Sequence, residues 1–314
     1  MSVYDVHGLR MRSSLLLPAP TTEEPAAVDV TIGEPFASPW ERPTADILAE
    51  LIGPDGWPRY SFCRLADGSV RARFYGLADF QIEPAGGTVI CHTHPQVDPG
   101  ITAVLLAGSV ASFLMMSAGT CVLHASAVEI APRAAVALVG PSARGKTTTA
   151  ALLCAGGAAL VTDDVLPVRM SEGEPVCGTG SGELRLRPQQ SGLVDLFDDQ
   201  PLLRDTADGR IAVRPRRAAS REPALKAIAL PRPDRDGTAF SVQRLSTTEA
   251  VRLLVSVPRI EGWRVPDRVA GVFADAVELA ERLPVVEVSI PWGPPFPADV
   301  VPRLRQLVST VVED

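Results

Sequence analysis

Ala134-Ala135-Val136-Ala137-Leu138-Val139-Gly140-Pro141-Ser142-Ala143-Arg144-Gly145-Lys146-Thr147 is the stretch that decides the fold class of this 314-residue chain. Its first six residues are an apolar run of the length and composition of a buried strand. The remaining eight have the spacing G-x-x-x-x-G-K-[ST]. In that pattern backbone N–H groups, freed by glycine, wrap phosphate oxygens at a helix N-terminus. Gly140 and Gly145 permit the close approach, with Pro141, Ser142, Ala143 and Arg144 completing the cradle. Lys146 reaches β- and γ-phosphate oxygens, and the Thr147 hydroxyl suits Mg²⁺. Thr147 to Cys154 then reads as a helix closed by Gly156-Gly157. Lys146 is one of only two lysines beside 28 arginines. A planar guanidinium fits such a cradle poorly, so a compact ammonium placed here answers a chemical need.

Downstream, the strand-like Ala158-Ala159-Leu160-Val161-Thr162 runs into Asp163-Asp164. Successive side chains on a strand point opposite ways, which sets one carboxylate toward the metal and the other toward an acceptor. Adjacent carboxylates also raise each other's proton affinity, as a general base requires. Upstream, Cys121 to Ile130 alternates like one continuous strand, joined to the loop strand by a tight Ala131-Pro132-Arg133 turn. It brings His124 toward the Asp pair. Such a histidine is either a satisfied core residue or a proton carrier.

In this order, Leu123-His124, the glycine loop and Leu160-Val161-Thr162-Asp163-Asp164 resemble the HPr kinase/phosphorylase superfamily. The likeness is greatest to the HPr-kinase-like kinases of peptide natural-product clusters, such as those of lasso peptides. It extends over roughly residues 121–246 and is weak before residue 98. The resemblance implies an α/β fold: a P-loop kinase domain of the HPr kinase and PEP-carboxykinase-like type, with a small β-rich N-terminal lobe. It implies ATP, or alternatively GTP, with Mg²⁺ held by Thr147 and Asp163. His124 matches the family's active-site histidine, Lys146 its loop lysine, and Asp164 the acid that deprotonates a serine hydroxyl. Arg244, in Val242-Gln243-Arg244-Leu245-Ser246, is the counterpart of an active-site arginine. Glu183-Leu184-Arg185 is similar to a family element near the metal, though its distance from the loop differs; Arg185 and Arg187 are alternative phosphate contacts. Ala143-Arg144 replaces a smaller, glycine-containing pair, and no equivalent of the segment that docks HPr is found. The acceptor implied is a hydroxyl on a peptide or protein, with a small metabolite as the alternative. A nucleotide-binding regulator or hydrolase without an acceptor is the rival reading, and the reverse, phosphorylase reaction is compatible with the same residues.

The net charge of −7 argues against nucleic-acid binding as the main task. Five cysteines without paired spacing suit a reduced, cytoplasmic protein, and Met1 to Ser14 has no apolar core of a signal peptide. Ile101 to Leu123 is uncharged and long enough to span a bilayer. However, Asp98-Pro99 is a good helix start in water, small polar residues interrupt the run, and no Lys/Arg cluster sits nearby to set orientation. A buried helix over Pro99 to Ala118, ended by Gly119, is therefore expected, with no membrane.

Two domains follow: a small β-rich lobe over 1–97 and the kinase domain over 98–314. In the first, Ser14 to Leu17, Val28 to Ile32, Val70 to Tyr75 and Thr88 to Cys91 read as strands. They are separated by prolines at 18, 20, 25, 35, 39 and 43, and Thr44 to Leu51 reads as a short helix. The lobe suits an acceptor-recognition or homo-oligomer surface. His92 and His94 lack a second ligand group at zinc-like spacing and read as ordinary polar residues. Residues 199–223, with Asp199, Asp205 and Asp208 before five arginines from Arg210 to Arg221, read as a solvated loop or an arginine-bearing lid. Helices are expected at Thr247 to Val255, capped by Ser246 and Glu249, at Val269 to Arg282 and at Pro297 to Val312, with a strand at Pro284 to Ile290.

Overall fold

The computed structural model describes residues 1–35, 40–42, 46–197, 204–237, 240–293 and 295–313. The chain divides into two compact units, Met1–Gly119 with Ile260–Gly271, and Thr120–Arg259 with Val272–Asp314. The expected division at residue 97 therefore moves. The apolar helix belongs with the N-terminal strands, and a segment from far along the chain returns to them.

In the first unit, the described residues form an eight-stranded sheet in the order Ser2–Val6, Leu9–Ser13, Val28–Ile32, Thr88–Thr93, Ala78–Ile82, Val70–Phe74, Pro58–Arg64 and Asp46–Ile52. Alternation along the strands gathers Tyr60, Phe62, Phe74 and Phe80 into an aromatic core. Phe113, from the apolar helix, stacks on Phe62 with centroids 4.2 Å apart, and Trp263 stacks on Phe113 at 5.4 Å. That helix begins at Pro99, capped by the Asp98 carboxylate on Gly100 N–H, and passes through a π-helical turn at Leu106–Val110 before ending at Ser117. By length and apolarity it would cross a membrane, but 61% of it is buried inside the protein.

Two expectations for this unit fail. Asp46–Ile52 is a strand where Thr44 to Leu51 was expected to be helical, its first two residues lying outside the described ones. The turn at Pro54-Asp55-Gly56 closes it against Pro58–Arg64, and Glu50 is buried between Arg42 and Arg264, so pairing overrides the local pattern. Ser14 to Leu17 is not a strand: the strand stops at Ser13, whose hydroxyl accepts the Leu15 N–H and turns the chain.

The second unit is a mixed α/β structure. Three parallel strands, Ala134–Val139, Ala224–Asp234 and Val285–Pro291, form its centre. Ala125–Ala131 and Ala159–Thr162 extend it antiparallel on one side. Glu174–Cys177, Leu166–Ser171 and Cys121–Leu123 continue it from Ala224, and Ser241–Arg244 covers the edge of Val285–Pro291. Alternation on Ala134–Val139 sends Val136 and Leu138 to one face and Ala135, Ala137 and Val139 to the other. The first face takes helix Lys146–Ala155 through Leu152 and Leu153, and helix Val300–Glu313 through Val300, Leu304 and Val308. The second takes Thr247–Val255 and Pro266–Arg282 through Ala250, Leu254, Ala276 and Leu279. Both faces are covered, and Ala134–Val139 at the centre is accordingly apolar along its whole length. A small sheet of Leu184–Leu186, Ile211–Val213 and Arg204–Asp205 occupies part of what was expected to be an unstructured run. Asp199 of that run lies outside the described residues.

Candidate active site

The strand Ala134–Val139 delivers the chain to Gly140, whose φ of 137° and contact with Leu230 leave no room for a Cβ; an added one would lie 2.7 Å from that side chain. The loop ends at Gly145, with φ 88°, which caps helix Lys146–Ala155 without a side chain of its own. The first N–H groups of a helix have no partner within it, so this end presents donors to the cleft. Between the glycines, Ala143 holds a left-handed φ of 65°, the conformation a glycine would supply at no steric cost. Lys146 folds back over the loop, its Nζ donating to Gly140 O at 2.7 Å and Pro141 O at 3.1 Å. Burial lowers its pKa to about 8, against the pull of Asp164 and Asp163, with Arg259 and Arg187 lowering it further.

The acidic pair is separated by a turn, not by strand alternation. The strand ends at Thr162, whose hydroxyl donates to Val165 O at 2.7 Å, and Asp164 takes φ 77°. Asp163 is buried. Its Oδ1 accepts from Ser126 Oγ at 2.6 Å and Thr147 Oγ1 at 3.0 Å, and its Oδ2 from Arg185 N at 3.2 Å. Asp164 Oδ1 meets His124 Nδ1 at 3.1 Å.

His124 reaches this position because the expected single strand is broken at it. Leu123 pairs with Leu166, Ala125 pairs with Val139, and between them His124 donates its N–H to Val257 O at 2.9 Å. The chain changes partners at this residue, and the ring projects into the gap.

Two arginines complete the shell around Asp164. Arg259 Nη2 lies 2.9 Å from Asp164 Oδ2, and Arg185 Nη2 lies 3.5 Å from the same atom. Burial would raise the Asp164 pKa, but Arg259, His124 and Arg185 together hold the carboxyl well below the usual carboxylate range. A carboxylate made basic by its acidic neighbour is therefore not what this turn builds. Arg244, expected in the site, is exposed on the edge strand Ser241–Arg244 and does not line the cleft. Arg259 occupies the position beside Asp164 instead. It follows Pro258 in an irregular segment after Val257, where no pattern in the sequence distinguishes it from 27 other arginines.

Glu183 is buried and paired with Arg214 at 2.7 Å, away from the cleft lining. Alternation on Leu184–Leu186 buries both leucines and turns Arg185 toward Asp164 and Asp208, while Arg187 follows along the cleft. Gln190 also lines it and donates to the Thr148 hydroxyl.

The cleft has a volume of about 640 Å³, within the range of small-molecule sites. Arg144, Lys146, Arg185, Arg187, Arg210 and Arg235 line it against the two carboxylates of Asp163 and Asp164, six cations to two anions in a chain of net charge −7. Such a concentration of positive charge selects a polyanion.

The chain is similar to the solved structure of the HPr(Ser) kinase/phosphatase from Coxiella burnetii. The identity is 11%, the match covers 60% of this chain and 88% of that chain, and the TM-score is 0.31. No family model and no curated protein matches the chain.

The residues present fit a hard divalent cation. Thr147 Oγ1 and Asp163 Oδ1 converge to 3.0 Å, an oxygen-only pair of the kind that holds Mg²⁺ when phosphate oxygens and water complete its shell.

Proposed function

We propose that this chain is a phosphotransferase that moves the γ-phosphate of ATP to a hydroxyl on a peptide or protein acceptor, with Asp164 as the proton acceptor. The observation that carries the reading is the convergence on one cleft of the Lys146 loop, the Thr147–Asp163 oxygen pair and the Asp164 carboxylate held by His124, Arg185 and Arg259. Each group has a role that phosphoryl transfer requires. The helix N-terminus and Lys146 bind the polyphosphate, and Lys146 exchanges its two loop carbonyls for phosphate oxygens. Thr147 and Asp163 would hold Mg²⁺, which when bound neutralises charge on the β- and γ-oxygens.

Asp164 in this setting is a weak base, and the chemistry tolerates that. In a loose transition state the entering hydroxyl keeps its proton until the new P–O bond is well formed. Its acidity rises as that bond forms, so a carboxylate held in position can accept the proton late. His124 fixes one carboxylate oxygen, and Arg259 and Arg185 fix the other. The guanidiniums of Arg144 and Arg187, which line the cleft, add positive charge along the path of the phosphoryl oxygens. GTP is the alternative donor and a small hydroxyl compound the alternative acceptor.

The test is Asp164→Asn, assayed for both binding and transfer with labelled ATP and a panel of hydroxyl acceptors. Nucleotide affinity is expected to persist while transfer falls by at least about a hundredfold, the scale of general-base loss. Full transfer by that variant removes Asp164 from the role. Phosphate released only to water by the unaltered protein favours a hydrolase.

A further inference from the structure

The cleft lining also includes a group at or just past the ends of two neighbouring parallel strands: Pro233, Arg235, Trp292 and Gly293. Trp292 is the only Trp, Tyr or Phe lining the cleft among the described residues. Its position is fixed from several sides. Its backbone N–H donates to Asp234 O at 2.8 Å, joining the ends of two parallel strands. The Phe296 ring meets it edge-on with centroids 5.4 Å apart. The indole rests on the loop itself, since a Cβ at Gly145 would lie 2.5 Å from Trp292 Cη2. The side chain is only half-buried despite these contacts.

We propose that Trp292 is the stacking platform for the nucleotide's heteroaromatic base, in a subsite completed by Pro233 and Arg235. This rests on the phosphotransferase reading. If the phosphates lie in the loop, the γ-phosphate must face Asp164 so that an acceptor can reach it. The ribose and base must then leave away from Asp164, and the proposal places on that path the indole that rests on the loop at Gly145. An indole face stacks on any base, and Arg235 offers a donor and a cation there without an acceptor. The described residues of the subsite therefore give a base contact that tolerates both adenine and guanine. A purely structural Trp292 would instead act as a wall that keeps the loop in shape over Gly145.

The two roles separate in titration calorimetry of ATP and of inorganic tripolyphosphate, each with Mg²⁺, against the parent protein, Trp292→Leu and Trp292→Phe. A stacking platform predicts that Trp292→Leu weakens ATP about tenfold or more and leaves tripolyphosphate within about twofold, while Trp292→Phe keeps most of the ATP affinity. Equal weakening of both compounds in Trp292→Leu makes the residue a wall of the loop and overturns the subsite. So does unchanged ATP affinity. Trp292→Phe keeps an aromatic face and most of the apolar bulk and so guards against loss of folding, and an equal loss of both compounds in it counts against the proposal too. A parent protein that binds neither compound fails at the earlier step and removes the phosphotransferase reading itself.

Discussion

Arg259 Nη2 and Asp164 Oδ2 lie 2.9 Å apart, joining residues 95 positions distant in sequence into the ion pair that sets the charge state of the cleft. Asp164 sits in a left-handed turn and Arg259 in an irregular segment, so neither is positioned by regular structure alone. The pair, with His124 and Arg185, keeps Asp164 ionised and fixed.

Replacing Arg259 by Gln should release that hold. The folded Asp164 pKa lies below its ordinary value near 3.9. Its contribution to stability is therefore present above about pH 4 and is lost as pH falls through the folded value. In Arg259→Gln the carboxyl pKa moves up, and urea unfolding followed against pH should show stability failing at a higher pH than in the parent. Transfer should fall about a hundredfold or more, because a positioned charge is lost from the reacting centre. Arg244→Ala, on the exposed edge strand, should change transfer by less than about twofold. Equal losses in both variants would place Arg244 back in the site.

Ser126 is the buried partner of Asp163, the carboxylate proposed to hold the metal, 2.6 Å from its Oδ1. Ser126→Ala frees Asp163 to turn and leaves it less well oriented. Metal affinity in the presence of nucleotide should weaken about 10- to 100-fold, the usual scale for a residue that orients a ligand. Titration with Mn²⁺ followed by electron paramagnetic resonance reads this directly. Unchanged Mn²⁺ affinity would mean that Asp163 does not hold the metal through that oxygen.

Lys146 should carry the pH dependence of nucleotide binding. Burial brings its pKa down to about 8, so the ammonium is charged below that pH and neutral above it. On the proposed function, the phosphates would bind the charged form. ATP affinity should then fall as pH rises from 7 to 9, approaching tenfold per pH unit above about 8. Calorimetry on the parent and on Lys146→Gln checks it: the variant should bind weakly and show a flat profile across the same range.

The parts of this site that were legible in the sequence are those written in adjacent residues. Gly140, Gly145, Lys146 and Thr147 share one loop, and its strand and helix follow from a short apolar run and a closing glycine pair. The Ser246–Glu249 capping box was legible for the same reason. What failed depended on pairing. The break at His124 arises because Cys121–Leu123 and Ala125–Ala131 have different neighbours, and nothing local announces it. The strand at Asp46–Ile52 is fixed by its hairpin partner and by two arginines around Glu50, one of them more than 200 residues away. Arg259 reached the site through tertiary placement, while Arg244 had only its order along the chain to recommend it.

The loop offers a paired test of its backbone. Gly145 and Ala143 both have φ in the left-handed region, at 88° and 65°, yet only one is glycine. A side chain in that region costs about 1–2 kcal/mol. Gly145→Ala adds that strain and drives a Cβ to 2.5 Å from the Trp292 ring, so it should lower the melting temperature and abolish measurable ATP binding. Ala143→Gly removes the strain but lets the unfolded chain gain entropy, an offset of about 0.5–1 kcal/mol. It should melt within a few degrees of the parent and keep its ATP affinity within about twofold, because the loop shape is unchanged. Thermal unfolding and ATP titration on both variants decide the point. If Gly145→Ala binds ATP as tightly as the parent, Gly145 does not shape a phosphate cradle, and the close seat of the Trp292 indole on the loop has no bearing on the nucleotide.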